Sequence, residues 1–526
     1  MASGLKLVPS RVNAPSAASI AACPAPHAGK PVLLHLVASE PVRPGPLGLS
    51  GPAPSAATGS SVVPAGGSCF VGECGDPIDC GSAAPLSGAS GGKSAPAARA
   101  SGGSGAHSGV LVPRVIDYAH LIGRKPYEAD HRAVAGVLTG KRVLITGAGG
   151  SIGSELVRVA CAYEPELVVL MERSENALFE IDRLMREQFP SVARKAVLHD
   201  VVDEHGTNQI MQALRPHVVF HAAAHKHVPL MEDHPGHAVT NNLFGTKAIA
   251  DAALKAGCER FVMISSDKAV NPASVMGATK RLAELYIRHL STRPEAASTR
   301  QSMVRFGNVL GSACSVLTIW GQQLAAGGPL TVTDPRMTRY FMTIPEAATL
   351  VIQSAALPPS ATTGGKASTR SDQAGVFVLD MGGPIRILDL AARFARAHGL
   401  RVRIREESLD AALLPALQEW MWDRRAWLAG HGSGPEVEVV FTGIRPGEKL
   451  YEELAYAAEL LEPTSHPGVQ AWAGEGELGD IPLMLKELDA IRFLGDRSAI
   501  VESLRRHVPE MRRSHGDLPA DAPASR

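Results

Sequence analysis

Asp267 and Lys268 stand side by side in Ser265-Ser266-Asp267-Lys268-Ala269-Val270-Asn271-Pro272, a carboxylate and an ammonium preceded by two hydroxyls. Neighbours of this kind can move protons to and from hydroxyls and acidified C–H groups. Met276 and Lys280 follow at i, i+4 spacing, so on a helix their side chains share one face and point at the same spot. A thioether holds no transferable proton. Either the segment has lost its chemistry, or Asp267 and Lys268 carry it.

The elements around the segment place it. Arg260-Phe261-Val262-Met263-Ile264 is an apolar run that reads as a buried strand, and Lys280-Arg281-Leu282-Ala283-Glu284-Leu285-Tyr286 has helical spacing and good helix formers. Open α/β sheets place their chemistry at strand C-terminal ends. Further apolar runs at Arg142–Thr146, Leu167–Leu170, Ala196–Leu198, His217–Phe220 and Ser302–Phe306 alternate with helical patterns. That alternation predicts an α/β fold, a doubly wound, mostly parallel sheet with right-handed crossovers.

Thr146-Gly147-Ala148-Gly149-Gly150-Ser151-Ile152-Gly153 follows the first strand and opens a helix. Glycines at 147, 150 and 153 give a tight turn and close backbone approach, and a helix N-terminus favours a pyrophosphate. Glu172 ends the second strand, where an acid accepts hydrogen bonds from ribose hydroxyls and favours NAD over NADP; Arg173 beside it could pair with a 2′-phosphate. Asp200-Val201 ends the third strand, where an Asp can meet an adenine amino group.

At 526 residues the chain has room for several domains, and Lys+Arg and Asp+Glu number 52 each, which points to neither nucleic acid nor an anionic membrane. Seven scattered cysteines exclude a disulfide scaffold and favour a reducing compartment. Cys69, Cys74 and Cys80 cluster without a fourth ligand, so no metal is expected. No apolar run approaches the roughly 18 to 20 residues of a membrane helix. Residues 1–112 are rich in Ala, Gly, Pro and Ser and read as a disordered extension. Lys6, Arg11 and Lys30 precede the first acid, Glu40, a weak likeness to an organelle transit peptide; a low-complexity extension of a cytoplasmic protein is the favoured reading. The expected organisation is a dinucleotide-binding, Rossmann-like domain over 113–305, an interleaved substrate portion over 306–475, and a helical tail over 476–526 whose end is disordered. Pro358 to Ala374 and Glu406 to Pro435 read as insertions.

With these pieces in place the chain resembles the extended short-chain dehydrogenase/reductases, and among them the UDP-N-acetylglucosamine 4,6-dehydratases of the bacterial polysaccharide-biosynthesis family. The resemblance runs from Asp117 to Pro467. It rests on His221-Ala222-Ala223-Ala224-His225-Lys226-His227-Val228-Pro229-Leu230-Met231-Glu232, the Asp267-Lys268 segment, and Arg305-Phe306-Gly307-Asn308-Val309-Leu310-Gly311-Ser312. Met337-Thr338-Arg339-Tyr340-Phe341-Met342-Thr343 and Arg445-Pro446-Gly447-Glu448-Lys449-Leu450 complete it. Short-chain dehydrogenases carry Tyr-x-x-x-Lys where Met276 and Lys280 stand, and Met marks the long members of this family, which act without the Tyr. The chain departs from the family at Ala313, Cys314 and Thr318, where Arg, Gly and Pro are usual. Larger members also carry membrane helices and another nucleotide-binding-like domain before the catalytic part, where a low-complexity segment stands here.

The reaction so implied is an internal redox dehydration of a UDP-sugar. The C4 hydroxyl is oxidised by bound NAD+, the ketone acidifies the C5 proton, water leaves from C5 and C6, and hydride and proton return to C6 and C5. Asp267 is assigned acid/base work toward the sugar hydroxyls, chiefly the departing C6 hydroxyl, and Lys268 the base at C5. Burial beside Lys280 is expected to lower the Lys268 pKa. The C4 hydroxyl proton passes to Asp267, Ser266 or ordered water, with Met276 a packing and orientation residue. Lys280 is assigned the nicotinamide ribose, Lys226 the cofactor or substrate, and Val228-Pro229 the sugar pocket. Asn241 caps structure near the cofactor, which Ser265 and Ala222–Ala224 also approach. Asn308, Arg339, Arg445 and Glu448 fall where the family binds UDP, the arginines matching diphosphate oxygens. A homo-oligomer is expected. A nucleotide-sugar 4-epimerase of the same fold and a non-catalytic dinucleotide-binding protein are the competing readings.

Overall fold

The six apolar runs of the sequence lie side by side in one sheet. A computed structural model describes residues 116–357, 374–429, 434–456, 461–472 and 478–511. The low-complexity stretch 1–112, the insertion over 358–373, the glycine-rich 430–433 and the chain end from 512 lie outside the described residues.

Among the described residues the main sheet has nine strands. They are β1 (Arg142–Thr146), β2 (Leu167–Glu172), β3 (Arg194–Leu198), β4 (Val218–His221), β5 (Arg260–Ile264), β6 (Arg300–Arg305), β7 (Ala374–Leu379), β8 (Leu461–Pro463) and β9 (Val469–Trp472). Their order is β8-β9-β7-β6-β5-β4-β1-β2-β3. β1 to β7 pair in parallel, and β9 and β8 add antiparallel at one edge. The chain winds outward from β1 to β3, returns, and winds the other way from β4 to β6. The crevice at the C-terminal ends of β1 and β4 is therefore the topological switch point, where open α/β sheets bind ligands.

Both faces of the sheet are covered at its centre, which is why β1, β2, β4 and β5 are continuous apolar runs rather than alternating ones. α1 (Ser151–Cys161), α2 (Glu175–Gln188) and α6 (Ile344–Ala356) pack on one face with Val143 and Ile145 of β1. α3 (Glu204–Leu214), α4 (Gly245–Lys255) and α5 (Val275–Ser291) pack on the other with Leu144. The helices Ile481–Ile491 and Arg497–His507 join that second core through Met484, Leu488, Ile500 and Leu504. α5 is therefore buried on nearly every side, and its position is set by packing.

A third core belongs to the later part of the chain. Helices Val316–Ala325, Ile387–Ala397 and Leu414–Ala429 gather around strands Leu330–Val332, Arg401–Ile404 and Glu436–Phe441, with Trp320, Phe394 and Trp420 at the centre. The stretch from Glu406 is built into this core: Leu417 and Trp420 are buried, and Trp420 Nε1 donates to Asp389 Oδ1 at 2.7 Å. This portion is interleaved with the main sheet, since β7, β8 and β9 come from the same half of the sequence. Among the described residues no helix is long and apolar enough to cross a membrane, and no group of three His, Cys, Asp or Glu side chains converges as metal ligands would.

Candidate active site

Two adjoining cavities open at the switch point. The smaller, about 220 Å³, is lined by Gly147, Gly150, Glu172, Asp200, Val201, Ala222, Ala223, Ala224 and Asn241. The larger, about 940 Å³, shares Gly150, Ala222 and Ala224 with it and extends over Ser151, Ile152, Gly153, Lys226, Ser265, Ser266, Lys268, Met276, Lys280, Asn308, Arg339, Arg445 and Glu448. The fold thus brings nearly all of the expected site residues into one continuous trough. Val228 lines a third, smaller cavity, while Asp267 and Pro229 line none of the three.

The glycine loop is shaped to admit a pyrophosphate. Gly147 has φ +64°, and a Cβ there would stand 2.8 Å from the Ala223 backbone nitrogen, so any side chain would collide with the end of β4. Gly150 is the N-cap of α1 and no side chain caps it. The first-turn N–H groups of Ser151, Ile152 and Gly153 are therefore presented to the trough, the arrangement that favours an anion. A dinucleotide fits these residues. Ser151 Oγ also accepts the Ala313 N–H at 3.0 Å, and Lys226 Nζ donates to the Ala313 carbonyl at 2.9 Å, tying the 312–315 loop to the glycine loop. Cys314 in that loop has φ +55°, a left-handed conformation that glycine adopts without steric cost.

At the end of β2, Glu172 accepts the N–H of Gly149 at 3.1 Å on one oxygen and those of Arg173 and Ser174 at 3.0 and 3.1 Å on the other. Much of its hydrogen-bonding capacity thus holds the glycine loop in place. Arg173 faces Asp200 at 3.7 Å and donates to Asn241 Oδ1 at 3.3 Å. Sequence reasoning missed Asn242, which is fully buried: its Oδ1 accepts the His225 N–H at 2.8 Å, and its Nδ2 donates to the His225 carbonyl at 3.1 Å and to Thr279 at 3.2 Å. It clips the loop after β4 to α5.

The Ser265–Pro272 segment turns sharply after β5 into a short 3-10 turn, Asp267–Ala269. Ser266 caps it, accepting the Lys268 N–H at 3.3 Å and donating to Asp267 Oδ1 at 2.8 Å. Asp267 is fully buried, its Oδ1 also accepts from Lys268 Nζ at 2.9 Å, and its Oδ2 is without a hydrogen-bond partner. Ser266 and Lys268, which do line the trough, thus connect Asp267 to its wall. α5 presses directly on this turn, because a Cβ on Gly277 would stand 2.2 Å from the Lys268 carbonyl oxygen. Met276 and Lys280 line the same wall, as their spacing predicts.

The electrostatics differ from expectation at one point. Burial pushes the Lys268 ammonium down, but the carboxylates of Asp267 and Glu452 outweigh it and leave the pKa raised. Lys280 shows the expected lowering instead, to about 8, because it is buried and has only the Glu284 charge, already engaged by Arg305, to offset that burial. Its Nζ donates to the Ile264 carbonyl at 2.7 Å. Glu452 was not read from the sequence. It is buried, 3.7 Å from Lys268 Nζ and 3.8 Å from Arg339 Nε.

Beneath the segment lies a buried ionic cluster that was also missed. Glu284 accepts from Arg305 at 2.8 and 2.7 Å and from Ser265 Oγ at 2.6 Å. Burial alone would raise its pKa, but Arg305, Arg281 and Ser265 hold it down at about 2. Ser265 Oγ therefore spends its donor on this cluster, though the residue still lines the trough.

The two arginines expected at the diphosphate part company. Arg445 is exposed at the trough and held by Glu448 at 2.6 Å, a guanidinium within reach of a ligand. Arg339 is buried and already donates to the carbonyls of Thr338, Leu450 and Lys449 at 2.7, 3.2 and 2.7 Å. Its fork is occupied by backbone, so it braces the loop that carries Glu452 rather than offering a free clamp.

Residues 143–473 match the family model described as polysaccharide biosynthesis protein. The chain belongs to this family. The probable polysaccharide biosynthesis protein EpsC of Bacillus subtilis is 42% identical over 373 residues, 70% of this chain and 54% of that protein. The chain thus spans about half the length of that relative. An inverting UDP-N-acetylglucosamine 4,6-dehydratase of Campylobacter jejuni is 31% identical over 220 residues, 41% of this chain and 64% of that enzyme. A UDP-glucose 4-epimerase of Rickettsia canadensis is 31% identical over 216 residues, 40% of this chain and 62% of that enzyme. The chain is equally identical, at 31%, to the dehydratase and to the epimerase, so identity alone does not choose between them.

Proposed function

We propose that the chain is a nucleotide-sugar 4,6-dehydratase that converts a UDP-N-acetylhexosamine, UDP-N-acetylglucosamine in the first instance, to a UDP-4-keto-6-deoxy sugar for polysaccharide or glycoconjugate synthesis. The observation that carries this reading is the linked set Ser266, Asp267 and Lys268, whose Ser266 and Lys268 line the trough with the glycine loop, and Met276 where a proton-transferring residue would serve an epimerase. Bound NAD+ would supply the reversible oxidation at C4 and the reduction at C6. Its holders would be the first-turn N–H groups of Ser151–Gly153, the ends of β2 and β3 at Glu172 and Asp200, and Lys280.

The chain's own residues have the proton transfers to make. A serine hydroxyl has one donor and two acceptor sites. Ser266 spends the donor on Asp267 and one acceptor on the Lys268 N–H, which leaves one acceptor for a sugar hydroxyl. A proton from the C4 hydroxyl can pass through it to Asp267 Oδ1, and the neutral acid can return it to the departing C6 hydroxyl. Neutralising Asp267 removes the strongest support for the Lys268 ammonium, so the same step moves Lys268 toward the free amine needed at C5.

The competing 4-epimerase would return hydride to C4 and release no water. Incubation with UDP-N-acetylglucosamine and NAD+ in D2O separates the two. A product lighter by one water, with deuterium at C5, is expected; an epimer with no water lost would overturn the reading.

A further inference from the structure

Beside the trough, and sharing Lys268, Asn308, Arg339 and Glu448 with it, lies a third cavity of about 150 Å³ closed by Lys449 and Glu452. Glu452 is the acid of this wall that the scheme above leaves without a task. Its side chain is 3% exposed. Oε1 lies 3.7 Å from Lys268 Nζ and 3.8 Å from Arg339 Nε, and Oε2 lies 3.9 Å from Lys449 Nζ and makes no hydrogen bond.

A carboxylate buried for stability is normally satisfied at contact distance. Glu284 shows this in the same molecule, at 2.7 and 2.8 Å from Arg305. Glu452 sits among three cations and is held about one ångström farther from each. Burial first, and then the charge of Asp267, raise its pKa against the pull of Lys268, Arg339 and Lys449. The other titratable groups around the pair are Glu448, on the same cavity, and Tyr340 and Glu453, on either side of Asp267 and Lys449.

We propose that Glu452 is a positioning residue that acts through Lys268, accepting the ammonium proton once Asp267 has been neutralised and so freeing the amine for C5. This rests on the dehydratase reading. An N–H bond of Lys268 breaks and an O–H bond forms on Glu452. Lys268 then takes the C5 proton while Asp267 protonates the leaving hydroxyl. When Lys268 returns its proton to C5, Glu452 returns its own to Lys268, and all three residues recover their starting charges. No outside acid, base or oxidant is consumed. A cavity of this size and polarity also admits water between the two groups.

The test is C5–H exchange in D2O with UDP-N-acetylglucosamine and NAD+, followed across pH in wild type, Glu452→Gln and Glu452→Asp. Wild-type exchange should be nearly flat around neutrality. In Glu452→Gln it should fall about 100-fold, the scale of one proton-transfer group, and rise with pH, because Lys268 must then lose its proton to solvent. KM for the nucleotide-sugar and NAD+ binding should stay at wild-type values. Glu452→Asp should lose about tenfold and keep the flat profile. Wild-type rate and profile in Glu452→Gln overturn the proposal, and so, if that variant does not fold, does wild-type rate in Glu452→Asp. Failure of the wild type itself to release water or take up deuterium at C5 overturns the dehydratase reading, and this role with it.

Discussion

Ser266 Oγ donates to Asp267 Oδ1 at 2.8 Å, which joins an aspartate lying off the trough to a hydroxyl lying on its wall. Asp267 is fully buried and touches the cavity through its neighbours alone. If the proton path runs through that hydroxyl, Ser266→Ala should lower kcat by about 100-fold, and Asp267→Asn by at least as much. NAD+ binding should survive both. Steady-state turnover and cofactor titration check this, and a Ser266→Ala enzyme with full kcat would place Asp267 in direct contact with substrate.

The reach of the sequence at this site is set by what kind of information each residue depends on. Gly147, Met276, Lys280 and the strand ends were legible because periodicities and tight turns are local properties. Glu452 was not, since nothing local distinguishes it from Glu453 beside it. One is buried against Lys268, while the side chain of the other is 45% exposed. Arg339 was assigned to the diphosphate on residue type, but carbonyls of Thr338, Leu450 and Lys449 take three of its five N–H donors. Likewise, the lowered pKa fell on Lys280 and not on Lys268, because the acids flanking Lys268 come from two separate parts of the chain.

The contrast between the two arginines yields a paired prediction. Arg445→Ala should raise KM for the nucleotide-sugar about tenfold or more, the worth of one charge-assisted contact, while leaving the thermal midpoint close to wild type. Arg339→Ala should lower the midpoint, because it unties the loop bearing Lys449 and Glu452. Thermal melts beside kinetics check both. Equal loss of stability in the two variants would show that Arg445 is also a brace.

Met276 is buried on the trough wall and its side chain shares a helix face with Lys280. Met276 also belongs to the core packed around α5, so Met276→Tyr should cost some stability while it retains NAD+ binding. Cofactor titration of the purified variant is the check, and complete loss of binding would show that Met276 packs in a manner the trough does not reveal.

Glu284 offers a pH dependence with a definite sign. Its carboxyl is held at about 2, against an ordinary value of 4.5. A depressed carboxyl contributes stability that is present above its unfolded value and lost as pH falls toward the folded one. The loss therefore falls between about pH 4.5 and 2, on the order of 3 kcal/mol. Glu284→Gln should destabilise by roughly 3 to 5 kcal/mol at neutral pH, because it leaves Arg305 buried without its charge partner. Denaturant unfolding at several pH values would show the variant with a flatter acid limb; an unchanged limb would assign the acid sensitivity elsewhere.

Lys280 is shifted in the same direction, but here the lowering disfavours the charged form: burial takes its pKa from 10.5 to about 8. Between those values the unfolded chain holds the proton and the folded chain does not. Stability then rises with pH across the window, since the slope follows the excess of protons bound by the unfolded state. The cost of keeping the ammonium buried is thus present below pH 8 and relieved above it. Lys280→Met, similar in length and uncharged, should remove that rise, so its thermal midpoint should gain on wild type at neutral pH and lose the advantage toward pH 10. The same variant should bind NAD+ more weakly, by about tenfold if Lys280 donates one hydrogen bond from a charged group to the ribose. Stability gained and affinity lost in a single substitution would mark Lys280 as a residue kept for binding at the expense of the fold. A variant that loses stability at neutral pH would show instead that the bond to the Ile264 carbonyl outweighs the burial of the charge.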